Sequence, residues 1–383
     1  MALHFTCDEF DARMDRLQAE MAEHRLDAML LFSQESMYWL TGYDTFGFVF
    51  FQCLVVTKNR RLALITRSAD LRQARQTSII DEIIVWADRA GSDPAKALKD
   101  HLFEMDLLGC RLGIETDTHG LTAKNGKRVQ EQLESFGTLV EASTIIPELR
   151  SVKSPAEIEY VRRAGQLADE ALTSGLALVK PGADEGAILA AMQGAVLAGG
   201  GDYPANEFII GSGEKALLVR YASGRRALDA NDQLTLEFAG VYRHYHVAMM
   251  ETVVIGEPHP RHAEMFEAAD AALSEVREAM RPGHTFGDVY DAHARVLHER
   301  GMGSFRLNAC GYSLGAAFTP SWMQWPMFYP ANPAKIVPNM VLFAHMILLD
   351  SESGTAMTLG RTFLTTDADP EPLSALAPRM LTK

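Results

Sequence analysis

Glu237 lies inside the run Leu234–Phe238, whose apolar and β-branched residues predict a strand. A carboxylate in the middle of a sheet is costly to desolvate without a partner, so it is either a satisfied polar core group or a working one. A turn over Gly240–Arg243 and a returning strand over Tyr245–Val254 bring up a candidate partner. Alternation there puts His246, Ala248 and Met250 on one face and Glu251 on the other, toward helices or solvent. A carboxylate beside an imidazole can work as a nucleophile with a general acid/base, and Ala248 leaves room for a substrate. His244 and Glu251 read as structural groups.

A second chemical feature is the segment from Thr319 to Pro333, which holds Trp322, Trp325 and Tyr329 among several prolines. Proline removes the donors that a helix or central strand needs, so the segment predicts an aromatic loop. Aromatic faces attract a delocalised cation by about 0.5–2 kcal/mol each. The competing reading is a lid or a dimer contact packed by aromatics.

The elements that must position these residues fall into two predicted domains, 1–150 and 151–383, as expected for a chain of 383 residues. The first reads as α/β. A helix is predicted over Phe10–His24, with strands over Ala28–Phe32, Phe48–Val56 and Arg61–Thr66. Ser154, Pro155 and Glu157 form a helix-start signature, and the helix should run to about Val179. The second domain repeats itself. Asp169–Leu172 recurs as Asp270–Leu273, and Lys180–Gly186 recurs as Arg281–Gly287, at one constant offset. Two related halves predict an α+β domain with pseudo-twofold symmetry and a site where their sheets meet.

A net charge of -14 argues against nucleic acid and anionic membrane as partners. No apolar run reaches the length of a membrane span, and the first residues carry no secretory pattern. Cys7, Cys53, Cys110 and Cys310 have no framework or metal spacing, so a cytoplasmic protein with reduced thiols is expected.

The strand pair around Glu237, the linker Arg150–Ile158 and the repeated halves resemble the pita-bread clan, which includes methionine aminopeptidase, prolidase and creatinase. The resemblance implies a pita-bread catalytic domain behind a creatinase-like N-terminal domain. Peptidases of that clan hold two metal ions with two Asp, one His and two Glu. Carried over, those positions become Glu237, Ala248, Tyr312, His345 and a position near Leu359 or Gly360, while Tyr242, Tyr245 and Thr252 keep their places. The clan's substrate-side His becomes Arg220. Such a set lacks the carboxylates that a two-metal site needs, so neither metal nor other cofactor is expected. A lone zinc on Glu237, His246 and His345 is the alternative.

Within the clan, Arg220–Arg226, Leu234–His246, Pro320–Tyr329 and His345–Gly360 resemble the metal-independent ectoine hydrolase branch. That resemblance implies opening of the cyclic amidine of ectoine to N-acetyl-L-2,4-diaminobutyrate, with 5-hydroxyectoine as a second candidate. Glu237 would be nucleophile or base, and His246 and His345 the acid/base groups. Arg220 would hold the substrate carboxylate, with Tyr242, Tyr312, Trp322, Trp325 and Tyr329 around the ring. The loop holding Tyr43 and Phe46 resembles one that reaches a neighbouring site in a homodimer. A creatinase-like amidinohydrolase, a divergent X-Pro peptidase and a non-catalytic binding protein are the other readings.

Overall fold

The computed structural model describes residues 3–220 and 225–383. Their contacts divide the chain into two units, Met1–Arg150 and Ser151–Lys383.

The N-terminal unit opens with α1 (Cys7–Glu23), capped by the Thr6 side chain, with Phe10, Met14, Leu17 and Met21 turned inward. Next come β1 (Ala28–Leu31), α2 (Gln34–Thr41), β2 (Cys53–Thr57), β3 (Leu62–Arg67), α3 (Leu71–Thr77) and β4 (Glu82–Trp86). The unit continues with α4 (Pro94–Glu104), β5 (Arg111–Ile114), α5 (Ala123–Leu133), β6 (Thr138–Glu141) and α6 (Ile145–Ser151). The mixed sheet has the order β4-β3-β2-β1-β5-β6. Successive β1 residues feed opposite cores: Ala28 and Leu30 pack with α4 and α5, Met29 and Leu31 with α1 and α2. Both faces are therefore covered, as near-continuous apolar strands require. The strand expected from Phe48 begins only at Cys53. Gly47–Val49 is a single 3-10 turn, and Phe50 is half exposed with the Arg67 guanidinium 3.8 Å above its ring.

The C-terminal unit begins with α7 (Pro155–Leu176). Ser154 and Glu157 exchange side-chain and backbone hydrogen bonds there, the capping box that the sequence predicts. The helix stops slightly short of Val179. Then come α8 (Glu185–Ala198), β7 (Ile209–Ser212), β8 (Asp232–Tyr242) and β9 (Tyr245–Ile255). The same order returns in α9 (Pro260–Ala279), α10 (Phe286–Glu299), β10 (Gly311–Ser313), β11 (Gln324–Met327), β12 (Val341–Asp350) and β13 (Thr355–Leu364). The expected repetition is thus present in the folded chain. These strands form the path β11-β10-β12-β13-β9-β8-β7.

The β8–β9 hairpin is longer and tighter than expected. Its turn is only Arg243 and His244, both with positive φ (48° and 65°), and Tyr242 pairs with Tyr245. Two left-handed residues match the strand twist, which is why this turn closes so tightly. Gly240 is a strand residue instead of a turn residue. A Cβ there would sit 1.9 Å from the Ala164 carbonyl oxygen, so glycine lets α7 lie against the sheet. The hairpin tip is tied to α7 by the Tyr245 hydroxyl donating to Glu157 at 2.7 Å and by Arg243 donating to Tyr160.

One row of paired residues crosses the sheet: His345, Gly360, Met250, Glu237 and Ile209. Directly paired residues share a face, so Glu237 from the first half and His345 from the second point the same way. The opposite face carries the helices; Leu342, Ala344 and Met346 of β12 pack there with Met265, Ala269 and Val276 of α9. On that covered side Glu251 of β9 forms a buried ion pair with Arg361 of β13, across the seam between the halves. The described residues contain no helix long and apolar enough to cross a membrane.

Removing one partner of a buried ion pair strands the other charge. Arg361→Met should therefore cost about 3–5 kcal/mol in denaturant unfolding, and adding Glu251→Leu should recover most of it. Equal instability of the single and double variants would show that the pair does not act as a unit.

Candidate active site

The open face of the sheet holds a cavity of about 190 Å³, lined by Arg220, Glu237, Tyr312 and His345 on its polar side. Its remaining wall is apolar, built from Val219, Leu307, Ala309, Met323, Met327 and Ile347. Four sequence-predicted residues therefore meet in one place.

Glu237 is 8% exposed. Burial pushes its carboxyl up to about 7, against the opposing pull of the Arg220 charge and a hydrogen bond from Tyr312. The Tyr312 hydroxyl lies 3.5 Å from Glu237 Oε1, a long contact that orients more than it binds. Burial also raises the Tyr312 phenol well above its usual range, so it stays protonated. His345 is pushed down to about 4, chiefly by burial, and is a neutral imidazole at neutral pH. Its Nδ1 has no hydrogen-bond partner among the described residues.

His246 is a correction. It shares the face of Glu237, as alternation predicts, yet it is fully buried and does not line the cavity. Its Nδ1 contacts the His244 carbonyl oxygen at 2.7 Å, and its Nε2 accepts from the Ala205 amide at 3.0 Å. With both nitrogens held by backbone and burial lowering its pKa to about 3, it cannot shuttle a proton. It is a positioning group. The adjacent Asn206 side chain accepts from the Trp322 amide at 3.1 Å, and Trp322 Nε1 donates to the Tyr312 hydroxyl at 2.9 Å. A continuous relay of contacts thus runs from His246 through Ala205, Asn206 and Trp322 to Tyr312.

The aromatic expectation fails for the cavity, which none of the three rings lines. Trp322 is buried, but it grips Tyr312 and does not face the cavity. Trp325 and Tyr329 are each 44% exposed and line nothing in this cavity. Met323 and Met327 of the same segment do line it, and their thioethers were not legible as site residues. Tyr242 is another correction: it lies an odd number of residues from Glu237 on β8, so it faces α7, where its ring meets Tyr160 edge-on at 5.7 Å. In the N-terminal unit Tyr43 is fully buried, its hydroxyl donating to Gln52 at 3.3 Å, so its side chain is part of a core and is not offered to a substrate. Phe46 is 78% exposed on that unit. Of the motif at Arg220–Arg226, residues 221–224 lie outside the described residues.

The donors here do not fit a pair of hard metal ions. The row offers one carboxylate at Glu237, a thioether at Met250, no side chain at Gly360 and one imidazole at His345. A Cβ on Gly360 would lie 2.7 Å from the Phe343 ring, so that ring fills the space over it. Two divalent cations need several oxygen anions. The lone zinc alternative also fails on donors, because His246 has no ring nitrogen left. Among the described residues no group of three or more His, Cys, Asp or Glu is arranged to hold a metal ion.

The model of metallopeptidase family M24 matches residues 159–367, and that of the creatinase/prolidase N-terminal domain matches residues 13–152. The ectoine hydrolase of Halomonas elongata is 26% identical over 363 residues, 89% of each chain. The Xaa-Pro dipeptidase of Pyrococcus furiosus is 21% identical over 86% of this chain and 88% of its own. The crystal structure of a prolidase from Thermococcus sibiricus superposes with a TM-score of 0.87 at 18% identity, covering 98% of this chain and 99% of that one. The shared architecture is the pita-bread fold with its creatinase-like N-terminal domain.

Because the folded-state pKa of Glu237 is raised, its ionisation opposes folding. The unfolded chain loses this proton near 4.5 and the folded chain near 7, so this group lowers stability as pH rises through that window. Glu237→Gln should remove the effect and gain on the order of 2 kcal/mol over the natural chain at pH 8, read from denaturant midpoints across pH. No pH-dependent difference between the two proteins would contradict the burial cost.

Proposed function

The chain belongs to metallopeptidase family M24, and from that premise we propose that it is a metal-independent hydrolase that opens the cyclic amidine of ectoine. One observation carries the reading. A single buried carboxylate, Glu237, and a single guanidinium, Arg220, face one small cavity with otherwise mostly apolar walls. Ectoine has the complementary pair of charges, a delocalised amidinium and a carboxylate on a compact ring. Arg220 takes the substrate carboxylate and is drawn away from Glu237, and Glu237 takes the amidinium. The similarity to the ectoine hydrolase of Halomonas elongata supports the same choice of substrate.

The chemistry needs little beyond these groups. An amidinium carbon is activated by its own charge, whereas a peptide carbonyl is not. Water adds to that carbon, forming the C–O bond and passing one proton to neutral His345. Collapse forms the carbonyl and breaks one ring C–N bond as that proton reaches the leaving nitrogen, which would otherwise depart as a poor anion, and the hydroxyl proton ends on the freed amine as its ammonium. The product is the N-acetyl amine. Glu237 holds the cation through these steps, or supplies the attacking oxygen itself. Label in the Glu237 carboxylate after a single turnover in ¹⁸O water identifies direct attack, with water then cleaving the covalent intermediate at the Glu237 carbonyl carbon.

Chelator-treated protein should convert ectoine to the ring-opened product by mass spectrometry. Glu237→Gln should lower kcat by about 10²–10⁴-fold without unfolding the chain. In the natural enzyme kcat/KM should fall as pH drops through about 7, because a protonated Glu237 no longer pairs with the cation. Cleavage of X-Pro dipeptides that requires added manganese or cobalt, with ectoine untouched, would replace this reading by the peptidase one.

A further inference from the structure

Arg220 reaches the cavity from the stretch between β7 and β8, and that stretch leaves and returns at one buried side chain that the proposed chemistry does not use. Glu185, the first residue of α8, is fully buried. Its Oε1 accepts from the Ser212 amide at 2.7 Å and the Ser212 hydroxyl at 2.5 Å. Its Oε2 accepts from the amides of Arg225 and Arg226 at 3.0 and 3.2 Å. Ser212 is the last residue of β7, where the stretch departs, and Arg225 and Arg226 stand where it comes back. One carboxylate therefore staples both ends of the segment that presents Arg220.

The staple is reinforced from both sides. The Arg226 guanidinium donates to Ser212 Oγ at 2.6 Å and pairs with Asp229 and Asp232. The Glu185 amide donates to the Arg226 carbonyl at 2.9 Å, and the Leu228 amide to that of Ala183 at 2.8 Å. A purely structural carboxylate could satisfy α8 alone. This one spends all four contacts on the base of the Arg220 segment.

Resting on the proposed function, we infer that Glu185 is a positioning residue that sets Arg220 for the substrate carboxylate. The chemical reason lies in acceptor count. A carboxylate offers acceptors on both oxygens, and every partner of Glu185 is a donor. Glutamine keeps size and shape but turns one end into an NH₂, which faces donors and must release either Ser212 or the Arg225–Arg226 amides. One end of the segment then loses its carboxylate hold, leaving only the backbone contacts and those of Gln233 to Gly213 and Thr235 to Ala216, and the approach of Arg220 to the cavity loosens.

The test compares ectoine with its carboxylate-free analogue, 2-methyl-1,4,5,6-tetrahydropyrimidine, in the natural enzyme and in Glu185→Gln. A charged hydrogen-bond pair that is no longer presented predicts a rise in KM for ectoine of about 10–100-fold, with kcat changed by less than about 3-fold. The analogue, which gives Arg220 nothing to hold, should keep its kcat/KM. If Glu185→Gln fails to fold, Ser212→Ala, which removes one donor and retains the amide contact, should show the same selective KM effect at smaller size. An equal loss on both substrates, or an unchanged KM for ectoine in a folded variant, overturns the positioning role and leaves the proposed function standing. No turnover of either amidine by the natural enzyme overturns the proposed function and the positioning role with it.

Discussion

A carboxylate inside a sheet lowers its desolvation cost with a metal ion, a fixed counterion or a proton. Among the described residues Glu237 has no neighbouring anions with which to share a metal pair, and the Arg220 charge only partly offsets its burial. It rests near its midpoint at neutral pH, held by one long contact from Tyr312. This condition makes the cavity a receptor for a cation: an incoming amidinium supplies the charge that the interior withholds. The neighbours match that condition. His345 and Tyr312 are neutral, and the rest of the wall is mostly thioether and aliphatic.

The fold supplies this environment through register. Glu237 and His345 come from opposite halves of the repeat and align only because β9 and β13 pair at Met250 and Gly360. The Glu251–Arg361 pair sits at that seam on the covered face, so it fixes the row without touching the cavity. A one-residue slip there would turn His345 toward the helices and leave Glu237 alone. The same reliance on position holds for His246. Its nitrogens are spent on the tight turn at His244 and on the amide of Ala205, and the result appears two contacts later as the orientation of Trp322 and Tyr312.

Much of the architecture was legible in the chain. The repeated Pro-Gly turns foretold two helix–helix–strand halves, Ser154 and Glu157 foretold the start of α7, and alternation foretold the shared face of Glu237 and His246. Alternation also held the answer for Tyr242, whose parity opposes that of Glu237. The errors cluster where a side chain is claimed by backbone distant in sequence. Nothing near His246 announces that Ala205 will donate to it, and nothing in the Trp322–Tyr329 run says which rings turn inward. Asn206 and Glu185 were invisible for the same reason: each matters through a contact that exists only after the sheet has formed. Proline and aromatic content predicted a loop throughout, whereas Gln324–Met327 pairs as the edge strand β11, a place where Pro326 is tolerated, and it did not say which side chains face the cavity.

The most direct measurement is the titration of Glu237 itself, followed by ¹³C NMR of glutamate-labelled protein with Glu237→Gln to assign the signal. Two carboxyls, Glu237 and the buried Glu115 of the N-terminal unit, should titrate near 7 in the free protein; only the Glu237 signal should vanish in Glu237→Gln, and saturating amidinium ligand should hold that one ionised to well below that pH. A carboxyl that titrates at the ordinary glutamate value, or one already ionised by a bound metal ion, would contradict the cation-receptor account.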